Sequence, residues 1–307
     1  MTGRLPRLLL ALLAALASLA ACGGPAIESI GRPGTGDGEF RDPRGIAVSE
    51  RGLAVLDRTG RMQFFGLDGH WQRTATVVPG DVRRGLPTGV TWLPDGDLAV
   101  AHTHTSRIVV FGQDGTVRRV LGDYGVAPGQ FIMPQRIALD AAGDYVVSEY
   151  GIDKTNRVQV LHPDGRVVRV LGGGIGGEGG LGRPMGAVGL PGGRTLVADE
   201  RAGLVVFGAD GHAAGAFGPP LPEGALPRGI CLGGDGDVYV IDGSRCELRR
   251  YAQDGTLRGV YGSSGDAPAL FREPWDVAWH DGRVYVADMG NQRVARIDPE
   301  RLEWRLP

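Results

Sequence analysis

Residues 227–262 have the sequence PRGICLGGDGDVYVIDGSRCELRRYAQDGTLRGVYG, and this stretch decides the fold. It contains four short runs rich in Val, Ile, Leu and Tyr. The segments between them, 233–237, 243–245 and 253–255, are rich in Gly, Asp and Ser. Short apolar runs joined by such turns are typical of antiparallel hairpins. The stretch therefore predicts four antiparallel strands in one sheet.

The same unit occurs six times in the chain of 307 residues. Each copy starts at a proline, and the starts are roughly 43 to 50 residues apart: Pro43, Pro87, Pro134, Pro184, Pro227 and Pro274. A repeat of this length with four strands is typical of a β-propeller, whose blades stack around an axis until the ring closes. The sequence predicts an all-β fold, a six-bladed β-propeller of four-stranded antiparallel blades.

The two ends of the chain are expected to close this ring by strand pairing. Residues 31–40 match later Gly-rich connectors in length, so residues 26–31 are expected to form an outer strand on the last blade. The C-terminal residues 302–306, LEWRL, compete for the same place. The sequence leaves open which segment is the fourth strand and which is an added fifth.

The first residues of the chain predict export and lipidation. Arg4 and Arg7 precede an apolar run, 8–19, which is short for a membrane span and ends in small residues, as export signals do. Residues 19–23, LAACG, resemble the bacterial lipobox, in which the cysteine is lipidated and becomes the first mature residue; here that is Cys22. The alternative is an ordinary secretory signal with a chance cysteine. The expected organisation is a lipoprotein signal peptide at 1–21, a short tether at 22–25 and the propeller at 26–307.

Charge restricts the partners of the mature chain. The formal net charge of −2 becomes −4 when the two arginines of residues 1–21 are removed. An acidic balance without a basic stripe argues against nucleic-acid binding. We expect a monomer in the cell envelope, attached to a membrane through its lipid, with a protein, peptide or glycan as partner.

Two cysteines remain in the predicted propeller. Cys231 lies on the first strand of its copy and Cys246 on the third, so one strand separates them. At roughly 4.8 Å per strand their Cα atoms are about 9.5 Å apart. A disulfide requires less than about 7 Å. We therefore expect two unpaired, buried thiols.

An acid ends the second strand in several copies, at equivalent positions. A role repeated in several blades is expected to be structural: a carboxylate that accepts backbone N–H groups or pairs with an arginine nearby. The acids are Asp57, Asp199, Asp242 and Asp288, and the candidate arginines are Arg61, Arg245 and Arg293.

The second copy departs from this pattern, because it has His102 at the acid position and His104 two residues later. Alternation along a strand would direct both imidazoles to one side. Two imidazoles could contribute to a zinc or copper site, but such a site needs at least a third ligand. We expect a solvated pair of loop histidines without a bound metal or other cofactor, with the metal site as the alternative.

The residue after each starting proline is expected at the mouth of the central channel, where the copies differ: Arg44, Thr88, Gln135, Met185, Arg228 and Trp275. Arg136 lies one place further along. Arg44, Arg136 and Arg228 come from alternate blades, so three guanidinium groups could converge on one anionic ligand, with Trp275 as a flat apolar surface. In the alternative interpretation these side chains cap their own connectors and pair with neighbouring acids.

The repeat also resembles a known family. A Gly-rich connector, a Phe, a Pro-led apolar strand and an ending with Asp288, Asn291 and Arg293 are similar to the NHL repeat, over residues 26–307. Six-bladed propellers that resemble this one include lactonases and lyases that cleave hydroxyglycine peptides, and both use a metal at the channel. Here arginines occupy the mouth where those enzymes concentrate acids and histidines. The resemblance therefore favours a non-enzymatic binding module, with a metal-dependent enzyme as the alternative.

Overall fold

The computed structural model describes residues 25–77, 86–151, 156–173 and 180–306. These residues form six four-stranded antiparallel sheets, the blades of a propeller, which confirms the predicted fold class. Cys22 and residues 1–21 lie outside the described residues. The signal peptide, the lipid anchor and the domain boundary at residue 26 therefore stay predictions.

The chain starts with one strand of the last blade and a small parallel pair. These are β1 (Ile27–Ile30), β2 (Arg32–Pro33) and β3 (Glu39–Phe40). Blade one consists of β4 (Gly45–Ser49), β5 (Gly52–Leu56), β6 (Arg61–Phe65) and β7 (Trp71–Thr76). Blade two consists of β8 (Gly89–Trp92), β9 (Leu98–His102), β10 (Arg107–Phe111) and β11 (Val117–Leu121). Blade three consists of β12 (Pro134–Leu139), β13 (Tyr145–Glu149), β14 (Arg157–Leu161) and β15 (Val167–Gly172).

The remaining blades follow the same order from the axis to the rim. Blade four consists of β16 (Pro184–Leu190), β17 (Arg194–Asp199), β18 (Gly203–Phe207) and β19 (Ala213–Ala216). Blade five consists of β20 (Pro227–Leu232), β21 (Val238–Asp242), β22 (Glu247–Tyr251) and β23 (Leu257–Tyr261). Blade six consists of β24 (Pro274–His280), β25 (Arg283–Asp288), β26 (Arg293–Ile297) and β1. Short 3-10 helices lie at Thr103–Thr105, Pro191–Gly193, Met289–Asn291 and Pro299–Arg301.

The core lies between neighbouring blades. The second strands are apolar along nearly their whole length because both of their faces are covered; β5 and β21, for example, are buried at every residue. Aromatic rings from adjacent blades meet in these layers. Phe64 of blade one lies 6.0 Å from Trp92 of blade two, measured between ring centroids. Contacts of this kind between neighbouring sheets keep the blades in place around the central channel.

The N-terminal strand closes the ring. β1 pairs antiparallel with β26, from Ile27 opposite Ile297 to Ile30 opposite Val294, and so becomes the outer strand of blade six. β1 begins at the end of the ring that carries the Asp-Gly turns, which we call the turn face. The opposite end, where the Gly-rich connectors enter the first strands, is the connector face.

The C-terminal segment does not compete for that place, although the sequence left this open. Arg305 N donates to Val260 O (3.0 Å) and Val260 N donates to Arg305 O (2.8 Å), so the segment adds to the outer edge of blade five. The ring of Trp304 meets Tyr261 edge-on at 6.3 Å. A 3-10 helix at Pro299–Arg301 directs the chain from blade six to its neighbour.

Both cysteines of the propeller are free, as predicted. Cys246 is buried, whereas Cys231 is only half-buried and lies on the first strand of blade five. Within the described part of the chain, no helix is long and apolar enough to cross a bilayer.

Candidate functional site at the channel mouth

The residues that follow the starting prolines meet at the connector end of the channel. A space of about 10 Å³ is lined there by Thr88, Gln135, Met185, Arg228 and Trp275, and by Arg136, Gly229 and Asp276 one residue further along their strands. Such a space holds about one water molecule. The channel is therefore too narrow on this side to admit a molecule larger than water.

The next position along each first strand explains why the channel is so narrow. It is occupied by Gly45, Gly89, Arg136, Gly186, Gly229 and Asp276. The two charged residues belong to blades three and six, which lie opposite each other in a ring of six. Arg136 Nη1 forms a salt bridge with Asp276 Oδ1 across the axis. Arg136 Nη2 also donates to the carbonyl oxygen of Val277 at 2.7 Å.

Arg136 lines the same small space as Arg228, but its guanidinium pairs with Asp276 and is not held on Trp275 with those of Arg44 and Arg228. It lies one residue deeper than the mouth, where Gln135 takes the equivalent place, and Asp276 compensates its charge. The carboxylate of Asp276 also accepts hydrogen bonds from Ile46 N (3.2 Å) and Val277 N (2.7 Å). The expected cluster of three guanidinium groups is thus a cluster of two above a closed channel.

Arg44 and Arg228 come together on one indole. Their guanidinium carbons lie 4.6 Å and 4.4 Å from the ring centroid of Trp275, within the range of cation–π contacts. All three side chains are half-buried. The ring of Trp275 is therefore shared between two cations and is not the open flat surface expected from the sequence.

The two guanidinium groups differ in their other contacts. Arg228 Nε donates to Glu200 Oε1 at 3.1 Å. Arg44 Nε is buried and has no hydrogen-bond partner among the described residues. Burial, and then repulsion from Arg58, lowers the pKa of Arg44, while attraction by Asp42 opposes this and Arg228 adds further repulsion. The mouth thus contains a half-buried cation whose Nε has no hydrogen-bond partner among the described residues.

A cleft of about 470 Å³ adjoins this cluster on the connector face, between blades five and six. Its lining includes two arginines and one acid among its polar and apolar groups: Arg228, Arg272, Glu273, Trp275, Ser244, Ser264 and Met289. Guanidinium groups bind carboxylates and phosphates in a bidentate manner, and hydroxyl and thioether groups add adaptable contacts. The cleft has the chemistry to hold a ligand that combines an anionic group with an apolar part.

The two histidines do not lie together as the sequence predicted. β9 ends at His102, and the 3-10 helix Thr103–Thr105 follows, so strand alternation does not extend to His104. His102 is buried, donates from Nε2 to Val77 O at 3.0 Å and packs on Phe111. Burial lowers its pKa. His104 is exposed, so only this residue is solvated as expected.

The repeated acids form structural contacts, as predicted. Asp199 accepts hydrogen bonds from Arg183 N, Arg201 N and Ala202 N, each at 2.8 Å. These bonds hold the connector and the loop that flank the strand. The same role is seen for Asp57, Asp242 and Asp288.

The arginine partners of these acids are as predicted in two blades and different in a third. Asp57 pairs with Arg61 at 2.5 Å, and Asp288 pairs with Arg293 at 2.8 Å. In blade five the guanidinium nearest to Asp242 is that of Arg249, at 3.9 Å. Arg245 meets the acid through its backbone N–H instead.

One residue of the mouth was not identified from the sequence. Glu200 binds Arg228 and also pairs with Arg183 Nη1 at 3.1 Å, and Arg183 lies over the ring of Tyr150. The signal in the sequence was a second acid directly after Asp199, the acid that ends the second strand. Only the fourth copy has such a second acid. Residues 152–155, in the loop between the second and third strands of blade three, lie outside the described residues.

A metal centre needs at least three ligating side chains close together. Among residues 25–77, 86–151, 156–173 and 180–306, no three His, Cys, Asp or Glu side chains are grouped so that they could hold one ion. The residues described thus do not fit a metal centre at His102 and His104 or at the channel.

No family model matches the sequence. Among curated proteins, human NHL repeat-containing protein 3 is 34% identical over 82 residues, which is 25% of this chain and 24% of that protein. The protein brain tumor of Drosophila melanogaster is 28% identical over 134 residues, or 43% of this chain and 12% of that protein. The chain thus covers no more than 24% of either relative. Together with the six-bladed ring, these matches support an NHL-type propeller.

Solved structures share the fold at low sequence identity. Virginiamycin B lyase from Staphylococcus aureus has a TM-score of 0.62 and 15% identity, covering 88% of this chain and 98% of that chain. A chain of the nidogen/laminin complex has a TM-score of 0.56 and 20% identity, covering 71% of this chain and 79% of that chain. At this level the similarity shows the architecture alone, which carries many unrelated functions.

Proposed function

We propose that this chain is a lipid-anchored protein of the bacterial cell envelope whose propeller binds a protein, peptide or glycan carrying an anionic group. The observation that carries the proposal is the pair of guanidinium groups, Arg44 and Arg228, held on Trp275 at the channel mouth. Such a pre-positioned pair binds a carboxylate, sulfate or phosphate at a low cost in conformational entropy.

The geometry of the mouth suits a surface-bound partner. The Arg136–Asp276 pair leaves room for about one water above it, so recognition takes place on the connector face. The cleft beside Arg228 and Trp275 extends this surface by about 470 Å³. A partner that places its anionic group on Arg228 also reaches the cleft, because Arg228 lines both.

The position of β1 supports an orientation with the mouth directed away from the membrane. Ile27 pairs with Ile297 at the turn face, so the tether meets the ring at that end. At about 3.4 Å per residue, residues 23–25 would hold the ring within roughly 15 Å of the bilayer. The connector face is then free for a partner.

Replacing both mouth arginines should abolish capture of the partner. A photo-crosslinking amino acid at Ser264, which is exposed and lines the cleft, should crosslink a discrete partner in whole cells. In the Arg44→Gln, Arg228→Gln variant we expect crosslinking to fall at least about tenfold, because each charged hydrogen bond contributes about 1.5–3 kcal/mol. The measurement is quantitative blotting of the crosslinked band.

The matched control is Arg166→Gln, an exposed arginine on the turn face, which should leave the band unchanged. Thermal unfolding of each variant shows whether the ring is intact. Full crosslinking in a folded Arg44→Gln, Arg228→Gln variant would contradict the assignment of the mouth.

The anchor is tested separately, by Cys22→Ser. Without the thiol no lipid is attached, and several acyl chains are what would hold the protein firmly at a membrane. We expect the parent protein in the membrane fraction and the Cys22→Ser variant in the soluble envelope fraction. Equal membrane retention of both proteins would contradict lipid anchoring and leave the binding proposal untouched.

The alternative function is a metal-dependent enzyme of the lactonase or hydroxyglycine-peptide lyase type. The described donors do not fit a metal centre, so we assign no catalytic step to them. Elemental analysis of the purified protein separates the two functions. A stoichiometric calcium or zinc that survives dialysis would favour the enzyme.

A further inference from the structure

The connectors that enter blades one, three, four and six share a buried apolar side chain, which we call the plug. Each plug packs on the first glycine of its own connector and lies in the layer between two neighbouring blades. The plugs are Phe40, Phe131, Leu181 and Phe271, all 0–5% exposed, on Gly31, Gly122, Gly172 and Gly262. Residues 78–85, in the connector to blade two, lie outside the described residues.

The connector that enters blade five has no plug. Nine positions separate its first glycine, Gly218, from the starting proline Pro227, against twelve in each of the four connectors with a plug. In blades three, four and six the plug stands one or two residues before the residue whose N–H binds the acid at the end of the second strand. Here that residue is Leu226, and Gly224 and Ala225 precede it. A Cβ added at Gly224 would have no atom within 4 Å.

A cleft of about 450 Å³ lies where the plug is missing, between blades four and five. Between blades five and six, Phe271 packs in one cluster with Cys246, Leu248 and Tyr261, and its ring lies 6.4 Å from that of Tyr261. The residues of blade four at the same positions line the cleft: Ala202, Leu204 and Phe217. Leu221 of the short connector is half-buried against this surface, and the cleft remains beside it. Its size is that of a ligand site, roughly 300–1,000 Å³.

The charges around the cleft favour an anionic group next to the apolar surface. Arg201 is exposed and lines the cleft. Glu200 beside it is already paired with Arg183 and Arg228, each at 3.1 Å. Glu223, the acid of the connector, is exposed and is not part of the lining. A guanidinium in this position is suited to a carboxylate.

We infer that the cleft binds a phenylalanine side chain of a peptide or protein partner, with a carboxylate next to the ring on Arg201. The ring takes the place that the plug holds in the other connectors, so the fold itself shows that a phenylalanine fits between two blades at this level. An aromatic ring in such a pocket contributes a large buried area. The site does not depend on the proposed mouth, because neither Arg44 nor Trp275 lines it.

A peptide copy of the chain's own plug tests this inference. Residues 262–271, GSSGDAPALF, end at Phe271 and carry a terminal carboxylate as a free peptide. Isothermal titration of the purified protein should show saturable binding of this peptide. The peptide with Ala in place of Phe should bind at least about tenfold more weakly, because no ring is buried. The peptide with a C-terminal amide should bind about threefold more weakly.

The outcomes of this titration are decisive for both parts of the inference. No binding of the parent peptide, or equal binding of the peptide with Ala, would overturn the site. Equal binding of the amide would overturn the part assigned to Arg201.

Two variants show where on the protein the peptide binds. Ala202→Trp fills the cleft from an exposed position and should abolish peptide binding. The matched control is Ala214→Trp, which is also exposed in blade four but does not line the cleft, and it should bind as the parent does. Parent-like affinity in a folded Ala202→Trp variant would overturn the inference.

A graft keeps the test decisive if Ala202→Trp fails to fold. Replacing residues 218–226 with a copy of residues 262–272 supplies the missing plug within the chain and should abolish peptide binding. A second graft with Ala in place of the copied Phe should melt at least about 5 °C lower, because the ring is no longer buried. Equal melting temperatures of the two grafts would mean that the cleft does not receive the ring, and would overturn the inference.

Discussion

Replacing Asp276 with Ala is expected to lower the free energy of unfolding by about 3–5 kcal/mol. Asp276 is 2% exposed, and its removal leaves the guanidinium of Arg136 in the channel without a counter-charge. It also removes the acceptor of the Ile46 and Val277 backbone N–H groups. Urea unfolding at neutral pH, followed by tryptophan fluorescence, measures the loss.

Two controls show whether the loss comes from the buried charge. Asp123 pairs with Arg107 at 3.0 Å on the surface, where it is 72% exposed, so Asp123→Ala should change stability by less than about 0.5 kcal/mol. Arg136→Met combined with Asp276→Asn removes both charges and should cost less than Asp276→Ala alone. A loss in Asp276→Ala no larger than in Asp123→Ala would mean that the pair does not close the channel.

The number of blades and the residues at the mouth could be predicted because both follow from the repeat. The proline that starts each copy fixes the register, so Thr88, Gln135, Met185, Arg228 and Trp275 were placed correctly at one ring. Patterns within a single copy were sufficient for this prediction. The alternation of side chains along a strand and the residues of the hairpin turns are both set inside each copy.

The pairing of Arg136 with Asp276 depends on the whole ring, and the sequence analysis did not find it. Copies three and six lie opposite each other once six blades close, and they carry the only charges at a position that is otherwise glycine. This signal was present but requires reasoning across the axis instead of along the chain. The three arginines were treated as equivalent, although Arg136 stands one residue later in its copy.

Loop conformation limited the other predictions. His102 and His104 were expected on one side of the chain as a solvated loop pair, but a 3-10 helix at Thr103–Thr105 follows His102, and the next residue, Ser106, has a φ of 57° in the left-handed region. Such a turn depends on contacts with the next connector, such as the hydrogen bond from Ser106 to Ile132 O. The path of residues 302–306 likewise depends on a distant element, the outer strand of blade five, where Arg305 pairs with Val260.

Gly229→Ala is expected to lower the free energy of unfolding by about 3 kcal/mol, because it overpacks the narrowest level of the channel. An added Cβ would lie 2.6 Å from Asp276 Cα and 2.7 Å from Val277 N, and both are backbone atoms that cannot rotate away. Blades five and six would have to separate at the axis. Chemical denaturation of the full chain measures the effect.

The matched control for this substitution is Gly36→Ala on the rim. There the nearest atom to an added Cβ is Glu39 Oε2 at 3.1 Å, the end of a flexible side chain, so the change should stay within about 0.5 kcal/mol. Alanine has less conformational freedom than glycine in the unfolded chain, which favours the folded state at both sites. A loss of stability at Gly229 must therefore come from overpacking in the folded ring. If both variants were equally stable, the first strands of blades five and six could not touch at the axis, and the glycines would not be the reason for the closed channel.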